Sequence, residues 1–423
     1  MSLEIIETKA DTGAMVIGET TEADAPIAGG SLSVWLLRRF LGSFTDFGEP
    51  GRLTVILPGG GQIAVGSGAG GAIWRIRRQR ALWRLIGGGA MGFAEGYMAG
   101  DWDSPDLLAL LLFFARALQE DGTVDAGRAR GVGRLLDTLG HRLRRNSLTG
   151  SRRNIAAHYD LGNDFYRLWL DSGMTYSAAL FETPSMSLAA AQQAKYRALA
   201  KGLALAPGMT VLEIGCGWGG FAEFAARHHG CRVTGITLSR PQLDHARARI
   251  EKAGLSERVT LLLADYRQLT GQFDRVASIE MFEAVGEGYW PAYCRAVAGA
   301  LNPGGRAGLQ IITIGGRHFA AYRRGADFIQ KYIFPGGMLP TASIVGDQFA
   351  AAGLALEAER CFAADYARTL GVWRQRFDTA WPDIAALGFD ERYRRMWRYY
   401  LDYCAAGFTS GRIDVGQYIF RKG

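Results

Sequence analysis

The stretch "TVLEIGCGWGGFAEFAARHHG" (210–230) limits the fold more than any other part of the chain. A short apolar run ends near an acid, Glu213. Four glycines follow at 215, 217, 219 and 220, and an amphipathic helical stretch begins there. Glycine lets a backbone turn sharply and approach a ligand at a helix N-terminus, where unpaired N–H groups point outward. One such loop is a weak signal, but here it stands first in a series. "RVTGIT" (232–237), "RVTLLLAD" (258–265), "FDRVASIE" (273–280) and "GRAGLQIITI" (305–314) are further short apolar runs, separated by helical stretches. This alternation predicts an α/β fold, a doubly wound Rossmann-like parallel sheet with helices on both faces.

Glycine spacing separates two kinds of nucleotide site. A dinucleotide fold spaces its glycines GxGxxG and places an acid at the end of the second strand. This chain reads GxGxGG, and its second strand runs into "ITLS". The pattern E-x-G-x-G-x-G instead resembles motif I of class I S-adenosylmethionine methyltransferases. That resemblance implies S-adenosyl-L-methionine as cofactor. It places Glu213, Gly215, Gly217 and Gly219 against it, with Thr237 and Gln242 after the second strand and Asp265 and Tyr266 near the adenine. Trp218, inside the loop, reads as a packing residue or a substrate wall, and Cys216 as packing.

Further motifs follow in order: "HYDLGNDFYRLWLDSGMTYSAALF" (158–181), "ITLSRPQLDHA" (236–246), "MFEAVG" (281–286), "DFIQKYIFPGGMLP" (327–340), "DYARTLGVWRQRF" (365–377) and "YYLDYCAAGF" (399–408). Together they resemble the cyclopropane-fatty-acyl-phospholipid synthases over about residues 85–420. The resemblance implies attack by an acyl-chain double bond on the sulfonium methyl, a carbocation, and then proton loss to a base. Loss from the new methyl closes a cyclopropane. Loss from a neighbouring carbon leaves a methyl-branched or methylene (furan-precursor) chain. Tyr176 and Ser177 match a cofactor-contacting segment, and the 327–340 segment matches a border of the acyl pocket. Glu283 matches a glutamate that helps hold a bicarbonate base, and Tyr366 an active-site tyrosine. Two bicarbonate ligands of the family are missing, since Ala178 stands where a Cys is usual and Ile312 where a His is usual. The sequence therefore assigns the base role to Glu283, alone or with Tyr366, and Glu283→Gln is expected to abolish turnover but not cofactor binding. Glu280, three residues earlier, shares that role or, on the plainer assignment, binds a ribose hydroxyl or a helix N-terminus.

The rest bounds the setting. Residues 1–30 read as a disordered acidic tail, 31–120 as an N-terminal α+β lipid-binding domain, 121–153 as a basic linker and 154–423 as the methyltransferase domain. "RLTVILPGGGQIAVG" reads as a hairpin. Arginines and tryptophans interleave over a helix at 74–84, which suits an anionic membrane surface. An apolar helix after residue 104 is capped by Ser104 or Asp103. The net charge of +7 favours anionic partners; no nucleic-acid recognition motif accompanies it. Five scattered cysteines without CxxC spacing argue against disulfides and zinc, and fit the cytoplasm. No secretion signal is evident. The expected setting is peripheral association with the inner face of a membrane, and by resemblance a homodimer. Two other readings remain open here: a methyltransferase for a soluble small molecule, and a degenerate lipid-binding protein.

Overall fold

The computed structural model describes residues 37, 41, 51–66, 71–117 and 161–423. The readings for the tail 1–30, the linker 121–153 and His158 lie outside the described residues.

In the N-terminal part, β1 (Arg52–Ile56) and β2 (Gln62–Val65) form the expected antiparallel hairpin. Strand β3 (Gly71–Ile76) adds parallel to β1, and the short β4 (Trp102–Asp103) pairs with β3. Alternation sends Leu53, Val55, Ile63, Val65, Trp74 and Ile76 into the core. The helix expected over 74–84 is corrected here. Residues to Ile76 are strand, Trp74 is fully buried, and helix α1 runs over Arg80–Met98. A strand wins because 72, 74 and 76 are all apolar, a period of two. Arg78, Arg80 and Arg84 converge on the buried carboxylate of Asp101, which draws them back toward the protein. Helix α2 (Leu107–Ala117) is capped by neither Ser104 nor Asp103. The Asp106 carboxylate accepts the N–H of Ala109, while Asp103 pairs with Arg77.

The larger part is a seven-stranded sheet of order β10-β11-β9-β8-β5-β6-β7. The five strands read from the sequence are β5 (Thr210–Ile214), β6 (Arg232–Thr237), β7 (Val259–Leu263), β8 (Phe273–Ile279) and β9 (Leu301–Ile314), mutually parallel. Two more, β10 (Leu354–Cys361) and β11 (Ile413–Lys422), join antiparallel at one side. Strand order reverses between β5 and β8, so the loops leaving these two strands flank a crevice at their C-terminal ends, where open α/β sheets bind ligands.

Helices α3 (Leu188–Gly202), α4 (Gly220–His229), α5 (Arg240–Lys252), α6 (Trp290–Ala300) and α7 (Ala342–Ala351) accompany the sheet, and α8 (Ala363–Thr379) and α9 (Glu391–Thr409) close the chain before β11. Helix α9 packs on α1 and α2 and so joins the two parts. Its Arg395 donates to the carbonyls of Tyr97 and Trp102, and Lys331 and Tyr332 donate to Glu95 of α1. No described helix is long and apolar enough to cross a membrane.

Candidate active site

The glycine loop leaves β5 with positive φ at Gly215, Gly217 and Gly219 (83°, 49° and 82°), which L side chains rarely adopt. A Cβ on Gly215 would lie 3.0 Å from Met281, so the two crevice loops touch there. A Cβ on Gly217 would meet nothing within 4 Å. Gly219 is closed by Ala246 (3.1 Å) and Gly220 by Tyr196 (2.5 Å), so Gly217 is the open position of the loop. Glu213 points from the last turn of β5 with Oε2 buried and unpartnered, and burial pushes its carboxyl up to about 8. A buried acid with one unpartnered oxygen beside an open glycine position fits a cofactor that carries positive charge. At the end of β6 the Thr237 hydroxyl donates to Gln242 (2.9 Å) and accepts the N–H of Ser239, and Ser239 caps α5. After β7, Asp265 is buried and held by its neighbour Arg267 (2.7 Å), while the Tyr266 ring rests edge-on against Tyr293.

The segment before the sheet folds over this loop. Trp218 donates to Asn163 (2.8 Å) and packs on Tyr166, so it is a packing residue, as is the buried Cys216. The Tyr176 hydroxyl shares a hydrogen bond with Tyr400 (2.8 Å), and its ring leans on Trp373. The Ser177 hydroxyl accepts from the buried Lys195 (2.6 Å). The 327–340 segment contains a π-helical turn, Ile329–Ile333, pinned by Gln330 to the carbonyl of Gly337 (2.9 Å). Its Met338 N–H donates to the carbonyl of Glu283 (2.8 Å).

The two acids after β8 have different surroundings. Glu280 adopts φ 50° although it is not glycine, a conformation that costs on the order of 1 kcal/mol and is kept only where the surroundings demand it. Its Oε1 accepts the Ala178 N–H (2.8 Å) and the Gln310 amide (2.7 Å), and its Oε2 accepts the Tyr366 hydroxyl (2.7 Å). Burial raises its pKa, and these donors act against that rise. Glu283 accepts the N–H of Ile312, and its buried Oε2 has no hydrogen-bond partner. Burial, and then the nearby Glu280, push its carboxyl up to about 8. The pair is therefore unequal: three donors favour the ionised form of Glu280, while burial and the neighbouring acid favour the protonated form of Glu283. The Tyr366 hydroxyl, which the sequence pairs with Glu283 as one of two alternatives, donates to Glu280. Glu280 had been given the plainer role because nothing in the sequence marks its donors. The Tyr366 hydroxyl, the Gln310 amide and the Ala178 N–H lie 86, 30 and 102 positions from it, and no spacing rule links them.

A bicarbonate ion does not fit this arrangement. Ala178 and Ile312 offer only hydrocarbon side chains, and the carboxylate of Glu280 already takes the Ala178 N–H, the Gln310 amide and the Tyr366 hydroxyl. Another anion beside that buried carboxylate would face like charge.

A doubly wound sheet with a glycine cradle and a buried acid at its switch point defines a class I S-adenosylmethionine-dependent methyltransferase. The model of the mycolic acid cyclopropane synthetase family matches residues 146–418, and the chain belongs to that family. It is 42% identical over 361 residues to the tuberculostearic acid methyltransferase UfaA1 of Mycobacterium tuberculosis, covering 82% of this chain and 83% of that one. It is 38% identical over 363 residues to the cyclopropane-fatty-acyl-phospholipid synthase of Escherichia coli K12, covering 84% and 90%. Among solved structures, mycolic acid cyclopropane synthase CmaA1 complexed with SAH and CTAB superposes with a TM-score of 0.61 at 34% identity, over 64% of this chain and 98% of that one.

Proposed function

We propose that the protein methylates the double bond of an unsaturated acyl chain carried on a phospholipid, and that Glu280 removes the proton that ends the reaction. S-adenosyl-L-methionine supplies an electrophilic methyl group when bound. Gly215, Gly217 and Gly219 would receive it, and its positive charge would draw the raised pKa of Glu213 back down and make that acid a buried counter-charge. With the cofactor bound, the acyl π bond would give its electron pair to the methyl carbon as that carbon's bond to sulfur breaks and its electrons leave on the neutral thioether, and the adjacent chain carbon would become a cation. A C–H bond of a neighbouring carbon then breaks; its electrons form a new double bond and its proton goes to Glu280. Burial strengthens that carboxylate as a base, and Tyr366, Gln310 and the Ala178 N–H hold it in one orientation. Glu283, kept neutral, adds no second charge to the pocket. The product is a methyl-branched, still unsaturated chain. The observation carrying this reading is that a side chain fixed to the backbone occupies the donors of the base site.

Mass spectrometry of membrane fatty acids tests it, after expression in a host without its own synthase. Each modified unsaturated chain should gain one CH2, and proton NMR should show a branch with olefinic protons. Upfield ring protons would overturn the product assignment, and no lipid change would return the reading to a soluble substrate.

The lipid-facing surface is assigned to the start of α1. Trp83 and Ile86 are about half exposed one turn apart, beside Arg77, Arg78 and Arg80, each more than half exposed. Replacing both apolar residues by Ala should weaken binding to anionic vesicles roughly tenfold, the scale of two half-buried large side chains. Unchanged vesicle binding would place the docking surface elsewhere.

A further inference from the structure

We infer that Lys195, far in sequence from both crevice loops, is a positioning residue that fixes the Glu280 carboxylate and holds it in its ionised form. This rests on the assignment of Glu280 as the base. Lys195 lies on α3, fully buried, and is the only lysine or arginine among the buried described residues. A cation is expensive to bury unless it is paired. Its ammonium donates to the Ser177 hydroxyl (2.6 Å) and lies over the Tyr196 ring (4.6 Å).

Two arms run from Lys195 to Glu280. Along the first, Ser177 is chained to Ala178, whose N–H donates to Glu280 Oε1 (2.8 Å). Gln192, one turn earlier on α3, donates to the Ser177 carbonyl (2.8 Å), so a single helix grips both the side chain and the backbone of this residue. Along the second, Gln417 of β11 donates to the Lys195 carbonyl (3.1 Å) and to Gln310 Oε1 (3.2 Å). Gln310 in turn donates to Glu280 Oε1 (2.7 Å).

The charges around the ammonium point the same way. Glu280, Asp171 and Glu213 act on it from three separate elements, the loop after β8, the loop before α3 and strand β5. Around Glu280 itself stand Tyr366 of α8, Gln310 of β9, the Ala178 N–H, the neighbouring Glu283 and Lys195. Lys195 is the only cation among these groups. Burial pushes its pKa down to about 8, so it remains charged at neutral pH. Without it, the ionised form of Glu280 would keep its dipolar donors and lose its buried counter-charge. The base would then hold its proton to higher pH.

The experiment compares pH profiles of kcat for the full-length enzyme, Lys195→Met, Ser177→Ala and Glu280→Gln, with S-adenosylmethionine and vesicles of unsaturated phospholipid. A base must be ionised, so kcat rises with pH through the pKa of Glu280. In Lys195→Met that acid limb should move up by about one unit or more, lowering kcat about tenfold at pH values below the wild-type limb and restoring it as pH rises. The KM for S-adenosylmethionine should change only a few-fold. A wild-type profile, or a loss uniform across pH, would overturn the inference. Ser177→Ala keeps the charge and cuts one arm. It should lower kcat about threefold to tenfold without moving the limb; an unchanged kcat would overturn the positioning part, even if Lys195→Met does not fold. Turnover retained by Glu280→Gln would refute the base assignment separately.

Discussion

Glu280→Gln is expected to lower turnover about a thousandfold, within the range of a lost general base, while S-adenosylmethionine binds within about twofold of the parent. The amide keeps the size of the side chain and can still accept from Tyr366 or Gln310, but it cannot take a proton. Calorimetry separates binding from turnover. The decisive comparison is Glu283→Gln. Burial and the nearby Glu280 raise the pKa of Glu283 to about 8, which favours its neutral form at pH 7, and glutamine is close to a protonated glutamate in shape and charge. That variant should keep most of the activity lost by Glu280→Gln, contrary to the expectation from sequence alone. It should also change stability in a defined direction. An acid whose folded pKa lies above its ordinary value of 4.5 binds its proton more tightly when folded. Its contribution is therefore fully present below about 4.5 and is lost as pH rises to about 8. Glu283→Gln should flatten that part of the decline. Equal loss of turnover in both variants would mean that the two acids act as one unit.

The reversal between the two acids shows what a sequence can carry. The cofactor half of the site is local. A strand, four glycines and a helix follow one another without interruption, so period and spacing reveal them, and β5 to β9 were read close to their true limits. The base half is assembled from afar. Glu280 and Glu283 were visible as acids at a strand end, but their difference lies in donors on α8, β9 and the loop before α3. Strand β11 was missed for a related reason: it pairs with β9 and β10 only after α8 and α9 have intervened. Strand β10 was missed because, as an exposed edge, it carries few of the apolar residues that announce a strand. At the start of α1 the error was one of period. Tryptophan and arginine composition suggested one amphipathic helix, while the alternation at 72, 74 and 76 had already set a strand.

Removing the indole of Trp373 should have the largest effect on stability, because that ring supports two tyrosines of the site at once. It is fully buried on α8, with Trp169 edge-on at 5.6 Å, Tyr176 tilted at 5.3 Å and Tyr366 edge-on at 6.2 Å. Trp373→Ala opens a cavity among rigid rings that cannot collapse into it, and such changes cost about 3–5 kcal/mol. Against a typical total of about 5–15 kcal/mol, that consumes a large share of the stability. Chemical denaturation would measure it directly. Activity should fall in the remaining folded protein, since Tyr366 loses the wall that orients its hydroxyl toward Glu280. Trp373→Phe separates the two contributions. The Trp373 indole N–H has no hydrogen-bond partner in the structure, so phenylalanine forfeits volume but no polar contact. Most of the stability should return, to within about 1–2 kcal/mol of the parent, and turnover with it. A Trp373→Ala variant as stable as the parent would show that the segment before the sheet packs on α8 less tightly than these ring contacts require. A Trp373→Phe variant that is stable but inactive would give the indole itself a part in the chemistry, as a broader aromatic face toward the cation on the acyl chain.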